Sequence, residues 1–362
     1  MLVTRLDLRD LRRFAELRLD PAPGLNLLTG DNGAGKTSVL EALHLMAYGR
    51  SFRGRVRDGL VRSGAAALQV FVEWVEQASG RPRRAGLRHG GQDWSGRLDG
   101  ADVAQLSELC AALAVVTFEP GSHALVSGGA EHRRRYLDWG LFHVEHEFLP
   151  QWRRYARALK QRNALLKGHG GDAQLDAWDR ELAEAGEAIA RHRQAYLDAL
   201  APGIDRLARE LAPTLGGVQI EHSPGWRRDE LPLVDALLLA RDRDRASGHT
   251  SVGPHRGDWR LAFGALPGRE ALSRGQAKLT ALAALLAQAG HYAGHRGEWP
   301  VIALDDLASE LDPTHQARVL QHLAANRAQV FVTGTQPPAG LDGIGAVARF
   351  HVEHGSVARR DG

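Results

Sequence analysis

Hydrophobic and polar residues alternate at the start of the chain, between residues 2 and 19, and this alternation predicts a β-hairpin. A turn with two prolines and a glycine then leads to a short apolar strand at 25–29 and a glycine-rich loop at 30–35. Residues 37–48 follow with apolar side chains at helical spacing. Strand, loop and helix therefore come in the order that a phosphate-binding unit requires.

The middle of the chain changes from a strand-like to a helical pattern. Residues 60–118 alternate apolar segments with turns rich in glycine and arginine, which predicts further antiparallel sheet, including a strand at 114–118. Between 131 and 213 apolar residues recur at helical spacing on both sides of a glycine-rich break at 168–171. This pattern predicts a short antiparallel helical hairpin whose second arm ends where Pro202 interrupts it.

An α/β pattern returns from residue 272 onwards. It predicts a helix at 278–289, a strand at 301–304, a second helix at 314–326 and a second strand at 329–333. The length of 362 residues suggests two to three folding units. The chain is therefore expected to combine an α/β part built from both ends with a helical part from the middle.

Composition excludes several classes of protein. Cys110 is the sole cysteine, which excludes a disulfide framework and a cysteine-based zinc site and fits a reducing compartment. The amino end has no apolar signal segment, and no run of about 18 uncharged apolar residues occurs, so a cytoplasmic protein without a membrane partner is expected. The net charge of +3 is only a mild basic bias.

The glycine-rich loop matches the pattern G-x-x-x-x-G-K-[ST]. Its backbone N–H groups can converge on phosphates, Lys36 supplies a charge to the β- and γ-phosphates, and the Thr37 hydroxyl is a ligand for Mg²⁺. We therefore expect ATP and Mg²⁺ as cofactors. The predicted nucleotide-binding residues are Gly30, Asp31, Asn32, Gly33, Ala34, Gly35, Lys36, Thr37 and Ser38.

An acidic pair, Asp305 and Asp306, follows the predicted strand at 301–304. Such a pair is also a common helix cap, but a phosphate loop needs a carboxylate at the end of a neighbouring strand to complete the magnesium shell. We assign Asp305 to the metal, together with Thr37, and Asp306 to the attacking water or the γ-phosphate. Lys36, Asp305 and Asp306 are thus the predicted catalytic residues.

A third motif precedes the acidic pair by about 30 residues and opens the helix that contains Lys278. A hydroxyl and free N–H groups at a helix N-terminus suit an anion, although the same residues can form a plain helix cap. A further segment follows the acidic pair and includes Ser309 and Asp312. The residues of this signature motif are Ser273, Arg274, Gly275 and Gln276.

Together these motifs resemble the RecF family of bacterial recombination and gap-repair ATPases, whose heads are of the ABC type. The resemblance extends almost from end to end of the chain. The matching segments lie at 23–30, 40–42, 49–53, 133–138, 159–167, 252–256, 272–276 and 305–312.

The resemblance implies an α/β fold: a P-loop NTPase of the ABC-ATPase and SMC-head type with a mixed sheet, plus a helical second lobe that carries a short antiparallel hairpin. We assign residues 1–117 and 290–362 to the ATPase lobe and residues 118–289, with the signature motif, to the helical lobe. Arg12 matches a family arginine near the nucleotide. No glutamine matches the magnesium-coordinating glutamine of transporters at 118–122.

The resemblance also implies a function. Ser273 and Gly275 of one head would close over ATP-Mg on a second head, with Ser309 and Asp312 at the dimer junction, so that ATP drives dimerisation and slow, DNA-stimulated hydrolysis releases it. Expected partners are a second copy of the chain, DNA as duplex and as single-strand/duplex junctions, and RecO and RecR. A nucleoid-associated cytoplasmic protein that helps to load the recombinase at gaps is expected.

Arginines cluster at 50–57, 81–88, 133–135 and 153–162, and each cluster could neutralise DNA phosphates or be a solvated face. Arg53, Arg55 and Arg57 alternate, so an extended segment would present them on one side, and we predict that they contact DNA. No base-reading motif is present, which favours backbone and shape recognition.

Two other functions use the same phosphate loop: a transporter-type ATPase subunit and a small-molecule phosphotransferase. The signature motif at Ser273 argues against the phosphotransferase. Asp306, where transporters have glutamate, and the segment 332–335, where they have a switch histidine, argue against the transporter subunit.

Overall fold

The computed structural model describes residues 1–54, 59–90, 93–168, 171–266 and 272–360. They form two compact units. Unit 1 consists of Met1–Ser122 and Ser273–Gly362, and unit 2 consists of His123–Leu272.

The strands and helices are numbered in chain order. The strands are β1 (Leu2–Leu11), β2 (Phe14–Leu19), β3 (Leu25–Thr29), β4 (Leu68–Val75), β5 (Pro82–His89), β6 (Trp94–Leu98), β7 (Ala101–Asp102), β8 (Val115–Phe118), β9 (Val218–Ser223), β10 (Asp258–Phe263), β11 (Val301–Leu304), β12 (Val330–Gly334), β13 (Val347–Glu353) and β14 (Ser356–Arg360). The helices are α1 (Lys36–Tyr48), α2 (Leu106–Ala112), α3 (Ala124–Ser127), α4 (Ala130–Val144), α5 (Phe148–Lys167), α6 (Asp172–Leu211), α7 (Leu233–Leu239), α8 (Arg241–Ser247), α9 (Arg274–Arg296), α10 (Leu307–Glu310) and α11 (Pro313–Ala325).

An antiparallel sheet in unit 1 has the strand order β2-β1-β4-β5-β6-β7. β1 and β2 form the predicted hairpin, with Leu6 opposite Leu19 and Leu8 opposite Leu17. These leucines are buried, because alternation along the strands turns one face of the pair towards the core. The hairpin prediction is confirmed.

A mixed sheet in unit 1 has the order β14-β13-β3-β12-β11-β8, and all its pairs except β13–β14 are parallel. The prediction of an antiparallel strand at 114–118 is wrong, because β8 is the edge partner of β11 and parallel to it. All four β8 residues are buried, as are those of β11. Such continuously apolar strands are typical of a parallel sheet covered on both faces, which is why alternation gave no guide.

The predicted helical hairpin is present in unit 2 as α5 and α6. Tyr155 of α5 lies against Gly186 of α6, whereas Arg162, seven residues further on, contacts Asp179, so the helices run antiparallel. The prediction that the second arm ends at Pro202 is wrong, since α6 continues to Leu211. Beyond the proline the helix buries four apolar side chains, whose burial offsets the roughly 3 kcal/mol cost of an internal proline. They belong to Ile204, Leu207, Ala208 and Leu211.

The predicted lobe boundaries at 117 and 289 differ from those of the structure, which lie at 122 and 272. The signature motif and α9 therefore belong to unit 1, not to the helical lobe. The physical reason is that α9 buries a long apolar face, including Ala281, Leu282 and Leu286, within unit 1. Among the described residues, no helix is long and apolar enough to cross a membrane.

Candidate nucleotide-binding site

The phosphate loop is shaped by glycines that no other residue could replace without strain. Gly35 precedes α1 with φ of 118°, and a Cβ there would lie 2.9 Å from the Phe14 ring. A Cβ on Gly30 would lie only 2.1 Å from the carbonyl oxygen of Val352 in β13. The loop therefore depends on glycine both for positive φ and for close packing on neighbouring strands.

Lys36 is folded back over the loop. Its Nζ donates to the carbonyl oxygens of Gly30 and Asp31 at 2.7 and 2.9 Å. Burial lowers the pKa of Lys36, while the nearby charges of Asp306 and Asp305 act in the opposite direction. The ammonium group is thus held at the N-terminus of α1. There its charge and the N–H groups of the first turn can bind the same phosphate group.

Three side chains from different strands and helices meet beside the loop. The Thr37 hydroxyl at the start of α1 donates to Asp305 Oδ1 at 2.9 Å, and the Thr333 hydroxyl in β12 donates to the same oxygen at 2.7 Å. The backbone N–H of Asp306 donates to Thr333 Oγ1 at 2.9 Å. The carboxyl ends of β3, β11 and β12 therefore converge on one point, although Thr37 and Asp305 are 268 residues apart in sequence.

Asp305 is 4% exposed, and burial raises its pKa from the ordinary 3.8 even though Thr37 and Thr333 donate to it. The oxygens of Thr37 and Asp305 fit Mg²⁺: they are hard donors, and octahedral ligands at about 2.1 Å from a metal lie about 2.9 Å apart. Ionising a buried carboxylate costs free energy in the free protein, and a bound cation would offset this cost.

A cavity of about 650 Å³ opens over these groups. It brings together Arg12, Asn32, Gly33, Gly35, Lys36, Thr37, Ser38, Asp305 and Asp306 of the predicted site, and it adds Arg13, Phe52, Glu119, Pro120 and Thr333. Asp31 supports the loop from outside, since its carbonyl accepts from the N–H of Ala34 and from Lys36.

Arg53 also lines this cavity, so the structure differs from the prediction that Arg53 faces DNA. Its positive charge acts on Asp305 and lowers the pKa of that carboxyl against the larger effect of burial. Gly54, where φ is 146°, is the last described residue of this segment. Arg55 and Arg57 lie outside the described residues.

Glu119 was missed from the sequence because a glutamine was expected there. It follows β8 directly, and the N–H of Asp305 donates to the carbonyl of neighbouring Phe118 at 2.8 Å, so both residues end adjacent parallel strands. Its carboxylate accepts from the N–H of Gly121 at 2.5 Å. The available signal was its position at the end of a buried apolar strand, the same signal that identified Asp305.

Two neighbouring arginines have different surroundings. Arg12, with φ of 55°, donates twice to the fully buried carboxylate of Glu41 in α1, at 2.9 and 2.8 Å. Arg13 is exposed, and its guanidinium lies 3.8 Å from where a Cβ on Gly33 would be. Arg12 therefore braces α1 from beside the cavity, whereas Arg13 is the more available of the two for an anion over the loop.

The signature motif forms the N-terminus of α9 and does not line the cavity within the described chain. Ser273 caps the helix: its Oγ accepts from the N–H of Gln276, and its own N–H donates to Gln276 Oε1 at 2.9 Å. Asp312 caps α11 in the same manner, accepting from the N–H groups of Thr314 and His315. Ser309 donates its N–H to the carbonyl of Asp306.

Comparison with known proteins gives consistent matches. The model of the RecF/RecN/SMC N terminal domain family matches residues 2–342. A protein of Stenotrophomonas maltophilia, "DNA replication and repair protein RecF", is 70% identical over 360 residues, which cover 99% of each chain.

Solved structures agree with the sequence relatives. The structure of a "recombination mediator protein RecF-ATP in RecFOR pathway" is 26% identical with a TM-score of 0.89, and the match covers 99% of this chain and 98% of that one. An Smc head shares the fold at 14% identity and a TM-score of 0.60, covering 99% of this chain and 98% of that one. These matches set aside the transporter subunit and the phosphotransferase. The chain belongs to the RecF family of DNA replication and repair proteins, within the wider family of RecF, RecN and SMC ATPase heads.

Proposed function

We propose that the protein is an ATP-driven switch of DNA repair: two copies close on ATP-Mg²⁺ while bound to DNA, and slow hydrolysis separates them. The observation that carries this proposal is the separation of two half-sites within one chain. The cavity holds the phosphate loop and the acidic pair, whereas Ser273 and Gly275 are exposed at the start of α9 and do not line that cavity. A complete site then needs a second chain.

Within the cavity, the chain's own groups would bind and orient the nucleotide. Lys36 and the N–H groups at the start of α1 hold the β- and γ-phosphates, and Arg13 and Arg53 add positive charge at the rim. A magnesium ion held by Thr37 and Asp305 would neutralise charge that develops on the phosphate oxygens. Thr333 keeps Asp305 oriented, and Asp306 orients the attacking water.

The signature motif is suited to reach a second head. Because Ser273 Oγ accepts the Gln276 N–H, its hydroxyl proton remains available to donate to a γ-phosphate oxygen of the partner. Nothing lies within 4 Å of a Cβ placed on Gly275, so the first turn of α9 is open to close approach. Loss of the γ-phosphate would remove this contact and release the dimer. Ser309 and Asp312 would lie at the same junction.

The repair context follows from the relatives. A homologue described as a recombination mediator protein in the RecFOR pathway supports RecO and RecR as partners. We infer that replication gaps bordered by duplex DNA are the place of action. The protein would help RecO and RecR to load the recombinase there, in the cytoplasm at the nucleoid.

The decisive experiment is sedimentation of the full chain with and without ATP-Mg²⁺. We expect a monomer without nucleotide and a dimer with it. Lys36→Ala should lose both ATP binding and dimerisation, whereas Ser273→Arg should bind fluorescent ATP within about threefold of the unaltered protein and remain a monomer. Arg296→Ala, at the far end of α9, is the matched control and should dimerise normally. A Ser273→Arg variant that still dimerises would disprove the composite site.

Slow, DNA-stimulated hydrolysis is part of the same proposal. Asp306 is one methylene shorter than the glutamate usual in transporters, and its backbone is held in the left-handed region by Thr333, with φ of 53°. Asp306→Glu is therefore expected to change the turnover number. Equal turnover for the two proteins, measured with and without duplex DNA, would remove Asp306 from the water-orienting role.

A further inference from the structure

Several arginines of the clusters at 81–88, 133–135 and 153–162 form ion pairs within the chain. Ion pairs join Arg81 and Arg83 to Asp99, Arg83 to Glu76, Arg133 to Asp258, Arg135 to Glu131, Arg154 to Glu181 and Glu184, and Arg162 to Asp179 and Asp244. Arginines with such partners are neutralised within the chain, and they offer less free charge to a polyanion than unpaired cations do.

The cations of α5 differ from these paired arginines because their own helix supplies no acidic partner. Helix α5 contains six arginines and lysines and no aspartate or glutamate. Arg154 and Arg162 turn towards acids of α6 and α8, but four others project at intervals of four, three and seven residues, which places them on a single face. We call this face the α5 stripe; it consists of Arg153, Arg157, Lys160 and Lys167, all exposed.

Three of the four stripe cations lack an acidic partner at ion-pair distance among the described residues, although Arg157 lies close enough to Glu181 for their charges to interact. Arg157, Lys160 and Lys167 have no ion pair with any residue that the structure describes. Like charges at such spacings destabilise a helix by a few tenths of a kcal/mol each. The exposed face of α6 has a different composition, since Asp172, Arg180, Glu184, Arg191 and Asp198 mix the two signs as an ordinary solvated face does.

We propose that the α5 stripe binds the phosphate backbone of duplex DNA, an inference that rests on the proposed DNA-linked function. The 14 helical steps from Arg153 to Lys167 correspond to about 21 Å, alongside which a duplex carries about a dozen charges. Between its cations the stripe presents only Ala164, so it lacks the apolar centre of a protein interface and the apolar face of a membrane-bound helix. Charge without base-reading groups fits backbone binding independent of sequence.

The test is the salt dependence of duplex binding by the full chain with ATP-Mg²⁺. R157A/K160A/K167A should weaken binding at 0.1 M salt by roughly tenfold or more, and should reduce the slope of log K against log salt by about 2.7 for three lost phosphate contacts. Its ATP-dependent dimerisation should be unchanged, which shows that the variant is folded.

A matched control removes three other exposed cations of unit 2, each of which has an acidic partner. R206A/R209A/R227A alters the net charge by the same amount, because it also removes three cations. These arginines pair with Glu210, Asp205 and Glu230. It should retain the slope of the unaltered protein to within about 0.5, since it removes no phosphate contact. An equal loss in both variants would mean that only net charge matters and would overturn the proposal.

Two further outcomes separate this inference from the proposed function. If the unaltered protein does not bind duplex DNA, the proposed function fails and the inference with it. If the unaltered protein binds but R157A/K160A/K167A binds equally well with an unchanged slope, the inference alone is overturned, and the stripe belongs to an acidic protein partner instead.

Discussion

At the scale of single residues, metal binding and burial have opposite effects on the ionisation of Asp305. It must be ionised to hold a cation, yet burial raises its pKa and makes the ionised form costly in the free protein. Thr37 and Thr333 reduce this cost without removing it, because each supplies only a neutral hydrogen bond. The ionised carboxylate of Asp305 therefore lowers the stability of the nucleotide-free protein.

Asp305→Asn should stabilise the nucleotide-free protein at neutral pH, with a rise in Tm of roughly 1–4 °C, while abolishing ATP hydrolysis. The amide oxygen can still accept from both threonines, and no charge is buried. The direction of the Asp305 pKa shift also determines how this difference in stability depends on pH. Below pH 3.8, where the aspartate is protonated in both states, the two proteins should be equally stable, and the difference should grow as the pH rises through the elevated folded-state pKa.

The measurement is differential scanning fluorimetry without nucleotide between pH 3 and 8. Thr314→Ala, a surface change at the start of α11, is a suitable control, because its effect should not vary with pH in this way. A less stable Asp305→Asn variant at pH 7 would show that the carboxylate contributes net stability and that burial does not dominate.

Residue roles were predictable from sequence where they depend on a local pattern. Residues 30–37 lie together in any fold, so the motif sufficed. Glu119 lies in the cavity only because the sheet places β8 beside β11, and Arg53 only because the chain after α1 returns to the phosphate loop. No local pattern reports either relation. Arg12 lines the cavity as predicted, but its guanidinium is bound to Glu41, which lies 29 residues away in sequence.

At the scale of elements, a buried ionic network joins α5, α6 and α8. Arg162 is completely buried and donates to Asp179 at 2.5 Å, to Asp244 at 2.7 Å and to Thr250 at 3.0 Å. Neighbouring Asn163 also accepts from the N–H and the hydroxyl of Thr250, so two side chains of α5 bind the segment after α8 to the hairpin. This segment continues to His255, whose Nδ1 is hydrogen-bonded to the Tyr155 hydroxyl at 2.6 Å. The residues at 252–256, one of the segments that match the family, are therefore also held against the hairpin.

Arg162→Ala should lower the free energy of unfolding by about 3–5 kcal/mol, because Asp244 would remain buried without an ion-pair partner among the described residues and Asp179 would keep only Arg241. Arg154→Ala, two turns earlier on the same helix, is the matched control: its side chain is 36% exposed and its acids can be solvated, so a loss below about 1 kcal/mol is expected. Urea unfolding followed by circular dichroism measures both. Equal losses would contradict the distinction between the buried and the exposed pair.

The helices of unit 2 also mark the limit of local prediction for elements. Spacing located α5 and the first part of α6, because both have a clear apolar stripe. The end of α6 depended on a competition between Pro202 and the burial of four residues beyond it, and that burial is decided by other elements of the unit. β8 was assigned to the wrong sheet for the same reason, since its neighbour β11 is 186 residues away along the chain.

At the scale of the whole molecule, the two units differ in how the chain builds them. Unit 2 is one continuous segment, whereas unit 1 needs both ends of the chain. That the ATPase part would be discontinuous was predictable, because Lys36 and Asp305 must meet around one nucleotide. The boundaries were not, because they depend on which unit buries the apolar face of α9.

This difference predicts that residues 123–272, expressed alone, fold into a soluble helical domain with cooperative thermal unfolding by circular dichroism, whereas residues 1–122 alone do not fold. In the shorter piece β3 lacks both strand partners, since β12 and β13 lie beyond residue 329. A folded 1–122 fragment that binds ATP, or a 123–272 fragment without cooperative unfolding, would contradict this view.

The position of β3 between β12 and β13 also determines when the nucleotide site can form during synthesis. The ribosome makes β3 about 300 residues before either of its partners, which at 5–20 residues per second is a delay of roughly 15–60 s. Throughout that time the nascent chain contains a complete phosphate-loop sequence with no sheet to support it. A chain released early by truncated translation would therefore lack a nucleotide site, so incomplete copies could not join complete ones through bound ATP.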